Sequence, residues 1–424
     1  MERFLNVIER INERKPIGKE SLAYVVNGFL SGAVTREQMT AFLRAVCAFG
    51  LSDEDACALT DVMLHSGEVL CFKKRKYPYA DKHSTGGVAD STTLIIAPIV
   101  AAAGVPFLKM SGRKLGHTGG TIDKLECFEG LKTELSIREA ERIVDKVGAA
   151  VIAQSKELVP ADKAMYKLRD ETDTVKSLPL IASSVVSKKL ASGAEVFVLD
   201  VKTGAGAFME KVEEGEALAK LMVSILKNAG KRAAAVLSDM NSPLGEGVGG
   251  VLEVIDAIEV LEGKGGRLRD LALFIAGKII SLAKGVSEEA GDKEAQSALN
   301  SGEALLKLKQ MIAAQGGSLA LFTKQARDNL LKTVAGEVTA PKDGFVERID
   351  CVKLGLLARA FETSGGYGMF VPVKVGSAVK AGEVIARLYG KTAAAEKIIE
   401  DIASCFVLTQ KQVEPTPLIY RVVT

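Results

Sequence analysis

The first 65 residues carry the apolar spacing of amphipathic helices. Apolar positions recur every three or four residues, with charged residues between them. Thr35-Arg-Glu-Gln38 is a capping box, in which the hydroxyl and the Gln side chain can satisfy free amides at a helix start. The helix that follows is expected to end at Gly50, and Ser52 can cap the next one. The pattern therefore predicts a helical N-terminal region.

From about residue 68 the pattern changes to short apolar segments that alternate with Gly-rich turns and helices. Val196 to Val201 is a nearly continuous apolar run, which is typical of a buried parallel strand. A helix over 212–228 and a strand from Ala233 to Leu237 are expected next. The stretch 162–192 favours helices again. This alternation of strands and helices predicts an α/β fold.

A further change comes at about residue 335, where short strands and turn residues replace the helices. From Val373 to Ile385 the sequence follows the rhythm V-x-x-G-x-x-V-x-x-G-x-x-I, which indicates a small β-barrel or sandwich. We therefore expect a C-terminal domain over about 336–424.

Composition and charge exclude several classes of protein. The 424 residues include 55 Lys and Arg against 53 Asp and Glu, so the net charge of +2 gives no general attraction to nucleic acid or to an anionic membrane. Three His argue against a multi-His metal enzyme. The longest apolar run, Leu94 to Leu108, is too short to span a membrane and is expected to be a buried helix or strand–helix segment. Six Cys without a C-x-x-C motif, and no secretory signal, predict a cytoplasmic protein with reduced thiols.

Two Gly-rich segments are candidates for phosphate binding. They run from Lys82 to Asp90 and from Lys109 to Thr121, and both combine paired glycines with hydroxyl and cationic side chains. Paired glycines let backbone amides approach an anion, and a helix beginning near Ser91 would add its N-terminus. Each segment could be a polar turn between core elements, but two of them within forty residues favour phosphate. Neither matches the nucleotide fingerprints G-x-x-x-x-G-K-[ST] or G-x-G-x-x-G.

Two further segments suit a flat polar ligand. Ser184 and Lys188 are four residues apart, so they share one helix face, and Arg169 is nearby in the sequence. From spacing alone a solvated helix face is the simpler interpretation. The turn from Asp200 to Met209 follows the predicted buried strand, where ligands of parallel sheets bind. Phe208 in this turn could pack on a flat ligand or belong to the core.

Taken together, these segments resemble the pyrimidine-nucleoside and thymidine phosphorylase family. The resemblance covers essentially the whole chain and rests on motifs in the family's order and spacing: KHSTGGV, SGR-x-LGHTGGT-x-DKLE, PADK, Y-x-LRD-x-T-x-TV-x-S-x-PLI, SKKLA-x-G and DVK-x-G-x-GAFM. It implies an enzyme that cleaves the N-glycosidic bond of uridine, thymidine or deoxyuridine with inorganic phosphate. The products would be the free pyrimidine base and (deoxy)ribose 1-phosphate.

The resemblance also assigns site residues by position. The phosphate site would consist of Lys82, Ser84, Thr93, Ser111 and Thr121, with Lys109 adjacent. The pyrimidine site would consist of His83, Arg169, Ser184 and Lys188, with Leu115 and Phe208 as apolar walls. Lys109 resembles the family version that accepts both uridine and thymidine. The four polar side chains of the pyrimidine site would stabilise negative charge on the leaving base, and domain closure would bring phosphate and nucleoside together.

The implied architecture is a small all-α domain hinged to a large α/β domain, with a C-terminal β-rich, barrel-sandwich-like α+β domain. The small domain would combine 1–67 with 162–192, the large domain 68–161 with 193–335, and the C-terminal domain would be 336–424. The resemblance also implies a homodimer and no cofactor for the chemistry. Some relatives bind a structural monovalent cation such as K⁺ through the equivalents of Ala89, Ser91, Leu244, Gly247 and Asp256.

The sequence departs from the family pattern at several positions. Ala89 replaces a usual Gly, Lys114 replaces Gly in the second turn, and Gly250 stands where Asn is common. Asp256 stands where Glu is common, and the shorter carboxylate weakens the expectation of a cation site. Lys114 could alter a strained backbone next to the base, so an altered substrate range is an open alternative.

Three other functions remain open at this point. An anthranilate phosphoribosyltransferase-like enzyme shares the architecture, but it should carry a G-T-G-G-D loop where this chain has Ser84-Thr-Gly-Gly-Val88. A lipoyl or biotinyl carrier would share the C-terminal rhythm, but 336–400 offers no Lys in an M-K-M or D-K-A context. A catalytically inactive binding protein is the third, since Lys114 could permit it.

Overall fold

The computed structural model describes residues 2–113, 116–154 and 158–424. The α-helices are α1 (Glu2–Asn12), α2 (Lys19–Ser31), α3 (Arg36–Phe49), α4 (Asp53–Leu64), α5 (Thr92–Ala102), α6 (Thr121–Leu125), α7 (Ile137–Val147), α8 (Pro160–Glu171), α9 (Leu178–Ala191), α10 (Val212–Asn228), α11 (Gly250–Leu261), α12 (Arg267–Lys284), α13 (Glu288–Asn300), α14 (Glu303–Ala314), α15 (Lys324–Leu330), α16 (Cys351–Thr363) and α17 (Glu396–Ala403). The β-strands are β1 (Ala80–Ser84), β2 (Phe107–Ser111), β3 (Ala149–Ala153), β4 (Val196–Thr203), β5 (Arg232–Asp239), β6 (Gly247–Val248), β7 (Val334–Thr339), β8 (Gly344–Ile349), β9 (Gly366–Phe370), β10 (Ala378–Val379), β11 (Val384–Gly390), β12 (Phe406–Thr409) and β13 (Ile419–Val423).

The N-terminal helices form a bundle to which α8 and α9 return from later in the chain. Its helices begin and end with the capping residues that the sequence predicts. Thr35 and Gln38 form a reciprocal capping box at the start of α3, and the helix ends at Gly50. Ser52 accepts a hydrogen bond from the amide of Asp55 and so caps α4. The predicted helical N-terminal domain is confirmed.

Six strands form the main sheet in the order β13-β5-β4-β1-β2-β3. The neighbours are parallel except β13, which pairs antiparallel with β5. β1 and β4 are in register along all of β1, from Ala80 opposite Val196 to Ser84 opposite Asp200. Parallel strands end at the same edge of a sheet, and ligands of such sheets bind there. The predicted α/β fold is therefore confirmed, with β1, β2 and β4 ending at that edge.

Helices cover both faces of the main sheet. On one face, α5, α11, α12 and α14 enclose an apolar core that includes Phe107 and Val198. On the other face, α10 and the helical bundle share one continuous core with Leu108 and Phe197. The apolar run from Leu94 to Leu108 is the buried helix α5 followed by the start of β2. Among the described helices, none has the length and apolar character needed to cross a membrane.

The C-terminal part is rich in short strands. It contains a three-stranded sheet, β10-β8-β12, and a four-stranded sheet, β6-β9-β11-β7, with α16 and α17 packed beside them. The α/β part and the C-terminal part are interlinked by two strands. β6, from the α/β part of the chain, joins the four-stranded C-terminal sheet, and β13, from the end of the chain, joins the main sheet. Val88 and Ala89 of the first Gly-rich segment belong to the C-terminal core. The C-terminal part therefore packs against the first Gly-rich segment. The exact domain bounds stay a prediction.

Candidate active site

The first Gly-rich segment begins at the carboxyl end of β1 with two polar side chains. Lys82 is fully buried, and its ammonium donates to Thr92 Oγ1 at 2.8 Å and lies 3.1 Å from Asp200 Oδ2. Ser84 Oγ donates to Asp90 Oδ2 at 2.6 Å. Both residues of the predicted phosphate site thus already have partners inside the protein.

A buried charge network joins this segment to β4. Lys202 lies 2.8 Å from Asp200 Oδ2 and 3.7 Å from Asp90 Oδ2. The pKa of Asp90 lies well below its usual value, because the ammonium groups of Lys202 and Lys82 outweigh the opposing effect of burial. Two lysines face two aspartates, so the network is close to neutral. Asp200 and Lys202 were missed by the sequence interpretation, although two charged residues in an apolar buried run were the available signal.

Lys109 fills the gap where β1 and β2 separate. The two strands pair at one position, Ala80 opposite Phe107, and beyond it the Lys109 ammonium donates to the carbonyl oxygen of Lys82. Lys109 is buried, and burial lowers its pKa to about 7, with a further contribution from the Lys189 ammonium. Lys109 is therefore a cation that can lose its proton near neutral pH.

The remaining predicted phosphate-site hydroxyls surround the same edge. Ser111 ends β2 and is partly buried, Thr93 is buried in the first turn of α5, and Thr121 begins α6. As predicted, α5 begins next to Ser91, directly after the first Gly-rich segment, and its Thr92 amide donates to Asp90 Oδ1 at 3.2 Å.

The second Gly-rich segment contacts the turn after β4. His117 Nε2 lies 2.9 Å from the carbonyl oxygen of Gly206, and the His117 ring is 5.7 Å from the ring of Phe208. A side chain at Gly86, where φ is +98°, would come within 3.4 Å of Phe208. Phe208 is 47% exposed, so it is not a core residue and can serve as a wall of an open site. Leu115, the other predicted wall, and Lys114 lie outside the described residues.

The helix α16 supports this second segment from the C-terminal part. Arg359 donates to the carbonyl oxygen of Gly116, and a side chain at Gly355 would lie 2.6 Å from the carbonyl oxygen of His117. Glu362 Oε1 accepts a hydrogen bond from the Gly250 amide at 2.6 Å, so the start of α11 is capped at the position where the family often has Asn.

On the helical side, Ser184 and Lys188 share one face of α9, as their spacing predicts. The Lys188 ammonium lies 3.3 Å from Ser184 Oγ and 2.8 Å from Asp162 Oδ2. Lys188 remains partly accessible, whereas Ser184 is buried. Asp162, at the start of α8, is a partner that the sequence interpretation did not include.

Arg169 makes its hydrogen bonds mainly to the loop between α8 and α9. Its guanidinium donates to the carbonyl oxygens of Thr174, Val175 and Leu180, at 3.3, 2.7 and 3.1 Å. Arg169 is 2% exposed, and it ties together the loop between α8 and α9. A guanidinium has five N–H groups, so two remain for another acceptor. Its predicted contact with the base stays a prediction.

His83 lies on β1, next to Lys82. Its pKa is far below the ordinary value, first because of burial and then because of the ammonium groups of Lys189, Lys109, Lys82 and Lys188. Lys82 and Lys109 belong to the strands, and the other two lysines belong to α9. Lysines of the predicted phosphate site and of the predicted pyrimidine site therefore both lower the pKa of the same imidazole.

The residues of the predicted cation site also come together. The Gly245 amide donates to the carbonyl oxygen of Ala89 at 3.1 Å, and the Gly247 amide donates to Asp256 Oδ2 at 3.3 Å. The Leu244 amide donates to the carbonyl oxygen of Val88. Ser91 Oγ is buried and makes no hydrogen bond within the described residues. Asp256 Oδ1, however, is already paired with Lys264 at 2.9 Å.

Comparison with known proteins places these features in a family. Residues 5–67 match the family model described as glycosyl transferase family, helical bundle domain, and residues 76–305 match the glycosyl transferase family, a/b domain. The pyrimidine-nucleoside phosphorylase of Geobacillus stearothermophilus is 39% identical over 429 residues, which covers 99% of both chains. That of Staphylococcus haemolyticus (strain JCSC1435) is 38% identical over 435 residues, covering 100% of both.

A likeness in fold extends further. The crystal structure of anthranilate phosphoribosyltransferase from Thermus thermophilus matches with a TM-score of 0.60 and 20% identity, covering 73% of this chain and 99% of that one. At this identity the match concerns the fold alone, whereas the sequence relatives extend over the full length. The chain belongs to the pyrimidine-nucleoside phosphorylase family of pentosyltransferase enzymes.

Proposed function

We propose that this enzyme catalyses the reversible phosphorolysis of uridine, thymidine and deoxyuridine with inorganic phosphate, giving the free base and (deoxy)ribose 1-phosphate. The observation that carries the proposal is the position of His83. It lies on β1 between Lys82 and Ser84, and α9, which carries Lys188, reaches the same strand through the contact of Lys189 with Asp81 at 2.8 Å. One site next to His83 can therefore hold an anion and a pyrimidine at the same time.

On the phosphate side, the neutral Lys82–Lys202–Asp90–Asp200 network orders the first Gly-rich segment rather than attracting an anion by itself. Backbone amides of that segment and of the start of α5, with the hydroxyls of Ser84, Thr93, Ser111 and Thr121, would then coordinate phosphate. Lys109 adds the charge. With a pKa of about 7 in the free protein, it takes up a proton as a phosphate dianion binds.

On the base side, Lys188 exchanges Asp162 for a pyrimidine carbonyl oxygen, and Ser184 and the unused N–H groups of Arg169 extend the donor set. Neutral His83 donates one ring N–H to the base. Donors that are fixed before the reaction stabilise charge as it develops on the leaving base, at little reorganisation cost.

The reaction is then a displacement at C1′ of the sugar. A phosphate oxygen forms the new C1′–O bond, the C1′–N1 bond breaks, and its electron pair leaves with the base as a stabilised anion that takes up a proton. Much of the acceleration comes from holding the two reactants in line. Closure of the helical bundle toward the sheet would exclude water from them. No cofactor takes part in this chemistry, and we propose a cytoplasmic homodimer.

The decisive experiment measures release of uracil or thymine from the three nucleosides, with and without phosphate. Release that depends on phosphate is expected. Absence of base release from every pyrimidine nucleoside would overturn the proposal.

A pair of lysine variants tests the base site. Lys188→Ala should lower kcat by about 10²–10³-fold, the usual cost of losing one donor to developing negative charge. Lys167→Ala, an exposed lysine on α8, is the matched control and should leave turnover unchanged. Circular dichroism establishes that both variants are folded. Normal turnover in Lys188→Ala would contradict the assignment of this face of α9 to the base.

A further inference from the structure

The loop before α11 and the start of α5 meet at one corner, where the predicted cation residues lie. The Glu246 amide donates to Asp256 Oδ2 at 2.8 Å, and the Gly245 amide donates to the Ala89 carbonyl oxygen at 3.1 Å. A side chain at Gly245 would lie 2.3 Å from Asp256 Oδ2 and 3.2 Å from the Ala89 carbonyl oxygen. The loop therefore packs tightly around a single buried carboxylate, that of Asp256.

The ammonium of Lys264 already balances that carboxylate. It lies 2.9 Å from Asp256 Oδ1, 2.9 Å from Glu246 Oε2 and 3.1 Å from Glu259 Oε2. A lysine ammonium has three N–H groups, and here each one has a carboxylate within reach. Three carboxylates therefore hold Lys264 as an ammonium at this corner.

A second ammonium reaches the same loop from the C-terminal part. Lys374 donates to the carbonyl oxygen of Gly245 at 2.6 Å and to that of Val371 at 3.2 Å. Carboxylate and carbonyl oxygens are the ligands that a hard cation would seek at this corner. Lys264 occupies carboxylate oxygens there, and Lys374 occupies carbonyl oxygens.

We propose that the Lys264 ammonium takes the place of a bound monovalent cation in this chain, so that the corner is stable without K⁺. A metal ion beside Asp256 would lie close to two ammonium groups, and at short range in a partly buried site such repulsion is large. The Lys264 side chain is partly exposed whereas the Asp256 side chain is buried, so the ammonium lies on the solvent side of the carboxylate. The chemistry of the active site is separate, and the inference does not depend on the proposed function.

The first test uses the unmodified protein. Its thermal unfolding temperature is measured in KCl, NaCl and choline chloride at constant ionic strength, because choline is too large to enter the corner. Equal unfolding temperatures in the three salts are expected. A saturable rise with KCl that choline chloride does not produce would overturn the proposal.

Variants then test whether a bound K⁺ can replace the Lys264 ammonium beside Asp256. Lys264→Gln should lower the unfolding temperature in choline chloride, and KCl should restore it in a saturable way. Lys284→Gln is the matched control, since Lys284 on α12 is a partly buried lysine paired with Glu294 away from this corner. It should be destabilised without any recovery in KCl. An unaffected Lys264→Gln protein, or one that KCl does not restore, would contradict the proposal.

Ser91→Ala provides a variant that leaves the charges unchanged. Ser91 is one of the predicted cation residues, and its Oγ is buried without a hydrogen-bond partner among the described residues. If no ion binds, the unfolding temperature of Ser91→Ala should respond to KCl no more than that of the unmodified protein. A potassium response that is present in the unmodified protein and lost in Ser91→Ala would show that an ion does bind.

Discussion

The ammonium of Lys189 lies 2.8 Å from Asp81 Oδ2 and donates to the carbonyl oxygen of Met110 at 3.1 Å. Both charged residues are buried. Lys189 follows Lys188 on α9, whereas Asp81 precedes Lys82 on β1. One buried ion pair thus joins the helix that carries the predicted base site to the strands that carry the predicted phosphate site.

Loss of one member of this pair should be costly. Lys189→Met removes the nearer counter-ion of the buried Asp81 and leaves it with Lys109 at 4.0 Å, so we expect a loss near the lower end of about 3–5 kcal/mol in the free energy of unfolding. The double variant Lys189→Met with Asp81→Asn should lose less than the sum of the two single variants, because the stranded charge is gone. Urea unfolding measures all three. Additive losses would mean that the pair makes no specific contribution.

The same lysine should control the protonation of His83. After burial, Lys189 is the largest influence that lowers the His83 pKa, so removing its charge in Lys189→Met should raise that pKa. Nuclear magnetic resonance titration of the ring protons measures it directly. The chain has three His, so the spectrum is simple to assign with His65→Gln and His117→Gln variants. An unchanged His83 titration would place Lys189 outside electrostatic reach.

Lys109 should make stability depend on pH. Its pKa is about 7 in the folded protein, against roughly 10.4 in an unfolded chain. Between these values the unfolded state binds the additional proton, so the free energy of unfolding should rise with pH by at most about 1.4 kcal/mol per unit from this group. Below pH ~7 both states are protonated, and this contribution to the slope disappears.

Urea unfolding across that window compares the protein with Lys109→Met. Lys374, with a pKa of about 8, contributes a slope of the same sign, so the difference between the two proteins isolates Lys109. Identical slopes would mean that Lys109 keeps its proton in the folded protein.

Ala89 stores backbone strain that a glycine would relieve. Its φ is +57°, in the left-handed region that costs a residue with a Cβ about 1–2 kcal/mol. Glycine is freer in the unfolded chain, so Ala89→Gly should stabilise the protein by a net of roughly 0.5–1 kcal/mol. Ala97→Gly, inside α5, is the matched control and should destabilise it by about 1 kcal/mol. Urea unfolding measures both, and a destabilised Ala89→Gly protein would show that the Cβ packing outweighs the strain.

Helix starts and contacts within one helical turn were predictable from the sequence, because they depend on residues only a few positions apart. The capping box at Thr35 involves residues three positions apart, and the structure forms it. The Ser184–Lys188 contact follows from one helical turn. The final strand, β13, was less predictable, since its short apolar pattern does not reveal that it pairs with β5 rather than with the neighbouring C-terminal strands.

The helical, α/β and strand-rich regions, the Gly-rich segments and the family can all be recognised from the sequence alone. Periodicity, capping signals and motif spacing depend only on residues that are close together along the chain. Which charged side chains contact each other became clear only from the tertiary structure. Asp81 and Lys189 are 108 residues apart, Lys264 neutralises Asp256, and the Arg169 guanidinium is directed to its own loop. Ion pairs in the interior depend on how elements pack, and residue spacing along the chain contains no information about that distance.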